Sequence, residues 1–67
     1  MTTATTLPDY TAMAVEADKL VIADMRNAAR ATQAGLWEVA DGWGRVIMAD
    51  AKYAATLWAK AAKGGAE

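Results

Sequence analysis

The sequence predicts an all-α protein: two amphipathic helices forming a helical hairpin, packed in an oligomer. Three observations predict it. Alanine, the strongest helix former, fills eighteen of the 67 positions. Apolar residues recur at helical rather than alternating spacing, and strand-type runs are missing. A Gly-containing break divides two such periodic stretches. The chain, 1–67, reads as a single all-α domain, with residues 1–6 as an extended N-terminal arm.

The first helix has a start signal in Thr6-Leu7-Pro8-Asp9. Thr6 serves as the expected cap, Pro8 occupies the first turn, and Asp9 is the acid at the third helical position. No breaker follows before Gln33. On a 3.6-residue period, Tyr10, Met13, Ala17, Leu20, Val21, Ala28 and Ala31 share one face, opposite Glu16, Lys19, Arg26, Asn27 and Arg30. Val15, Ile22 and Ala29, spaced by seven, form a second apolar column on the flank. A helix in a simple hairpin needs one apolar stripe, so two stripes point to contacts on two sides.

The break between the helices is placed at Asp41-Gly42-Trp43-Gly44, which holds two glycines and a D-G dipeptide. Gly35 is the weaker breaker, because no good cap follows it. The alternative is one long nearly continuous helix, since an isolated Gly costs about 1 kcal/mol. The last helix carries Val39, Trp43, Val46, Ile47, Tyr53, Ala54, Leu57, Trp58 and Ala61 in one broad stripe. Glu38, Arg45, Lys52, Thr56 and Lys63 lie opposite. Lys60 and Lys63 suit a helix C-terminus, and Gly64-Gly65 is the expected cap.

A shift of twenty-six residues aligns Lys19–Ala29 with Arg45–Ala55 without gaps. Charge class is kept at Lys19/Arg45, Asp24/Asp50 and Arg26/Lys52. Two equivalent helices in equivalent environments would produce such a repeat; so would the general similarity of Ala-rich amphipathic helices.

The composition excludes several function classes. Seven basic residues against eight acidic give a net charge of −1, without the basic surplus that phosphate binding needs. No nucleic acid is therefore expected as a partner. No strictly apolar run exceeds that of Leu20 to Ala23, which is far short of a membrane span. Met1 to Thr6 lacks the features of a signal peptide. The absence of Cys fits a cytoplasmic location by default. It removes disulfides and thiolate metal sites, and the absence of His removes the commonest metal ligand and acid–base group. There is no Ser either. No catalytic, cofactor-binding or metal-ligating residue is assigned, and no enzyme activity is expected.

Asp24 and Asp50 are the two residues that break the pattern. Each falls among apolar neighbours, and neither has a cation three or four residues away in its own helix. A carboxylate leaving water must be paired or take up a proton. Three readings follow: an edge position reaching solvent, an ion pair with Arg26, Arg30, Arg45 or Lys52 of another helix or another chain in the assembly, or a carboxylate pair for metal or proton chemistry.

A chain this short buries little of its surface, and small scaffolds need a further stabiliser. With disulfides absent, self-association is the expected one. The candidate interface residues are Tyr10, Val15, Leu20, Ile22, Asp24, Trp37, Trp43, Ile47, Asp50, Tyr53, Leu57 and Trp58. The expected function is that of a self-assembling structural protein, a subunit of a homo-oligomer, filament or coat whose partners are copies of itself. The alternative is a small helical adaptor or inhibitor that binds another protein through an amphipathic helix.

Overall fold

A computed structural model describes residues 8–66, and among these the chain is all-helical. Helix α1 spans Tyr10–Gln33 and helix α2 spans Trp37–Ala66. They lie against each other as an antiparallel hairpin, with extents of 57 × 24 × 13 Å. The molecule is a ribbon two helices wide and one helix thick.

Helix α1 begins one residue after Asp9, whose carboxylate accepts a 3.0 Å hydrogen bond from the Ala12 backbone N–H. Asp9 is therefore the N-cap, satisfying a donor that the helix leaves unpaired. The expected cap, Thr6, and the arm at residues 1–6 lie outside the described residues.

The turn falls at Ala34–Leu36, not at the expected residues 41–44. Gly35 adopts a left-handed φ of 76°. Its N–H donates to Thr32 O at 3.0 Å, and the Leu36 N–H donates to Ala31 O at 2.9 Å. This is the paired-carbonyl C-cap that favours glycine. One glycine in a left-handed conformation thus reverses the chain, and the Leu36 carbonyl at once accepts from the Ala40 N–H to start α2. The stronger sequence signal is overridden because Gly42 and Gly44 tolerate helical geometry. Arg45 also spans this region, donating to Asp41 at 2.9 Å across one turn of α2. The single continuous helix is excluded by the same turn. At the other end, α2 continues through Gly64 and Gly65 to Ala66, so that pair does not stop the helix.

The buried positions follow a strict seven-residue rhythm. On α1, Ala14, Ala17, Asp24 and Ala31 are buried, with Tyr10, Val21 and Ala28 half-buried between them. On α2, Ala54 and Leu57 are buried, and Ala40, Trp43, Ile47, Asp50 and Ala61 are half-buried. Steps of three and four alternate through these positions, as a two-helix seam requires, and Asn27, Gly42 and Gly44 are half-buried beside them. Tyr10 packs on a cluster of Ala14, Ala17, Ala54 and Leu57. The expected faces need correction by a fraction of a turn. Met13 and Leu20 on α1, with Val39, Val46, Tyr53 and Trp58 on α2, are exposed beside the seam. The twenty-six-residue repeat carries one helix's seam onto the other: Val21 onto Ile47, Asp24 onto Asp50, Ala28 onto Ala54.

Two glycine substitutions test this turn in opposite directions. Gly35→Ala is expected to destabilise the hairpin by roughly 1–2 kcal/mol, the strain of a left-handed L-residue. Gly42→Ala should stabilise it by roughly 0.5–1 kcal/mol, since a Cβ there meets nothing within 4 Å. Urea unfolding followed by circular dichroism measures both; a larger loss at Gly42 would place the turn wrongly.

Candidate functional site

The side chains that flank the seam divide into two broad faces. Helical periodicity puts Met13 and Leu20 of α1 on the same flank as Val39, Val46 and Tyr53 of α2. Ala12, Met13, Glu16, Ala17, Leu20 and Tyr53 line an open groove of about 400 Å³ on this side. The opposite flank carries Asp18 and Met25 of α1 with Trp37, Met48 and Trp58 of α2. The two helices meet there through a 3.0 Å hydrogen bond from the Trp58 indole N–H to the Asp18 carboxylate. Val15 and Ile22 extend this second face outward along α1.

Both faces are exposed apolar surface. Trp37 is 68% exposed and Met48 is 73% exposed. Twelve large apolar side chains are exposed among the described residues, against five buried apolar residues, four of them alanine. Most charged residues lie toward the outer edges, while Asp18 bonds Trp58 on one face and Glu16 borders the groove on the other. Lys19 pairs with Glu16 at 3.0 Å and Arg45 with Asp41 at 2.9 Å, both pairs exposed. Such pairs contribute little to stability. Lys60 lies 5.5 Å from the Tyr10 ring centroid, a cation–π contact joining the helix ends.

The candidate interface residues therefore separate into two groups. Leu57 is buried, and Tyr10, Trp43 and Ile47 are half-buried in the hairpin's own seam. Val15, Leu20, Ile22, Trp37, Tyr53 and Trp58 remain exposed on the faces. Met13, Met25, Leu36, Val39, Val46 and Met48 were not among the candidates but are exposed in the same way. Their signal was available: each stands beside a seam position, and would have been placed once the seam was drawn through the alanines.

Asp24 and Asp50 occupy matching seam positions and meet across the hairpin. Asp24 is only 4% exposed, and its Oδ2 is buried without a hydrogen-bond donor. The Asp50 carboxyl, half-buried, lies within hydrogen-bond reach of it. This contact, then burial and the charge of Asp50, pushes the Asp24 carboxyl above its ordinary pKa. The expected ion pair is not what the hairpin supplies. Arg26, Arg30, Arg45 and Lys52 are exposed on its outer surface, because the seven-residue rhythm that aims Asp24 inward turns them away. The reading in which both acids sit at a solvent edge fails for Asp24. Among the described residues no group of three or more acidic, His or Cys side chains gathers to hold a metal, and no helix is long and apolar enough to cross a membrane.

No family model, curated protein or solved structure matches this chain.

The seam and the faces are separable by substitution. Leu57→Ala, which empties the largest side chain of the buried cluster, is expected to cost about 2 kcal/mol or more of hairpin stability. Met48→Gln, on an exposed face, should change it by less than about 0.5 kcal/mol. Unfolding midpoints at one fixed low concentration test this, and equal losses would mean that Met48 belongs to the core.

Proposed function

We propose that this chain is a structural subunit that assembles with copies of itself through the two broad faces of its hairpin, and that it performs no chemistry of its own. The observation that carries this reading is the inversion of the usual apolar order. Four of the five buried apolar residues are alanines, while twelve large apolar side chains are exposed among the described residues. An isolated soluble hairpin would need one apolar stripe per helix; this one presents apolar surface on both sides of a ribbon 13 Å thick.

The size of the faces supports the reading. Aromatic side chains alone carry roughly 150–250 Å² each, so two half-exposed Trp with the adjacent Met and Ile residues offer several hundred Å². A stable interface covers about 800 Å² per partner. Apolar patches of this extent mark interaction sites. A further layer of helices on each face would bury them and leave the charged edges in water, as in a helical bundle. Because the Trp-bearing face differs from the face carrying the Tyr53 groove, association of one face with the other is head-to-tail and builds rings or filaments.

Sedimentation equilibrium of the purified protein over about a hundredfold concentration range tests the reading through mass action. The expected result is a mass above the 7.1 kDa of one chain, with helicity falling on dilution. A fully helical species of 7.1 kDa at every concentration would refute self-assembly and favour an adaptor that awaits a different protein.

A further inference from the structure

We propose that the hairpin closes around a proton: Asp24 and Asp50 share one hydrogen across the seam, forming a clasp that tightens in acid. The argument begins with position. Both carboxyls lie at inward steps of the seven-residue rhythm, so closing the hairpin brings them together. Asp24 retains almost no water and its Oδ2 has no donor. An ionised, unpartnered carboxylate in that place would be strongly disfavoured.

Among the described residues, none of the cations is turned toward Asp24. The charged group that α2 turns toward Asp24 is Asp50. Arg45 is committed to Asp41 on the outer edge, and Lys52 is exposed. On α1, Lys19 is joined to Glu16, while Arg26 and Arg30 are exposed. Two carboxylates at hydrogen-bond distance cannot both remain ionised, and one takes up a proton. A protonated carboxyl gains an O–H donor. Asp24, the more buried of the two, holds the proton and donates to Asp50. Asp50, half-buried, keeps its contact with solvent. One hydrogen thus removes the repulsion and gives the Asp50 carboxylate a donor.

The sign of the pH dependence follows. The folded hairpin binds a proton at pH values just above about 3.9, where the unfolded chain, with ordinary Asp groups, has released it. The clasp's stabilisation is therefore fully present below the unfolded value and is lost as pH rises through the raised folded value. Between the two values, one extra bound proton changes the folding constant by up to about tenfold per pH unit. The clasp lies within one chain and acts whether or not copies associate.

The experiment is urea unfolding of the full chain between pH 4.5 and 8, for wild type, Asp24→Asn and Asp50→Asn, at one concentration. An amide donates to a carboxylate without needing the shared proton. The expected result is a wild-type midpoint that rises as pH falls, and variants with a higher midpoint at pH 8 and a flatter profile. Carbon-detected titration of the aspartate carboxyls, which does not depend on the variants folding, should show Asp24 titrating above the ordinary Asp range. A wild-type midpoint that falls with acid, or variants weaker at pH 8, would overturn the clasp in favour of a cation supplied by another chain. Aspartate titrations all in the ordinary range would also overturn it.

Discussion

The close approach of two alanine-lined helix faces is the constraint from which the rest of the molecule follows. Ala14 and Ala17 on α1 and Ala54 on α2 are buried at the cluster where the helices meet. Interhelical separation depends on the side chains at the contact, and alanine permits a near one. It also lets each helix form with little side-chain entropy lost. The same choice leaves little apolar volume inside. Among the described residues Leu57 is the one large apolar side chain with less than a tenth of its area exposed, and the residue sealed completely is an alanine, Ala14. The bulky residues that would fill an ordinary core stand on the two flanks.

This arrangement gives the polar seam positions weight beyond their number. A polar residue inside a coiled-coil seam fixes register at some expense in stability. Asp24 and Asp50 find each other in the observed alignment; sliding one helix along the other would set each carboxyl against apolar residues such as Val21 or Ile47. The alanines cannot supply that discrimination, because one methyl packs much like the next. Register therefore rests on the carboxyl pair and on the Gly35 turn, whose paired hydrogen bonds fix where α2 begins. The Trp58–Asp18 bond and the Lys60–Tyr10 contact hold the open end.

Fold class was legible in the sequence because alanine content and helical periodicity act locally and agree with the final packing. The odd character of Asp24 and Asp50, and their equivalence under the twenty-six-residue shift, were legible for the same reason. The turn was not. Counting glycines favours residues 41–44, yet Gly35 alone can complete the C-cap drawn from Ala31 and Thr32, and that geometry appears only in three dimensions. The faces were displaced because hydrophobicity ranks Met13 and Leu20 above Ala14. In this seam, fit outranks hydrophobicity. The mutual approach of the two acids was hidden while the turn stood at the wrong residue, since a reversal at 42 would have set Asp50 near the start of its helix against a different partner.

The three-residue turn also dictates an order of events. Contacts near Gly35 enclose the shortest loops and cost the least entropy, so closure proceeds from the turn outward. The apolar cluster of Ala14, Ala17, Ala54 and Leu57 lies toward the free end, and the two acids stand between it and the turn. A closing hairpin must pass two like charges before it gains its main apolar reward. The half of the ribbon beside the turn therefore pairs without bringing acids together, and the half beyond it pairs only past the two carboxyls.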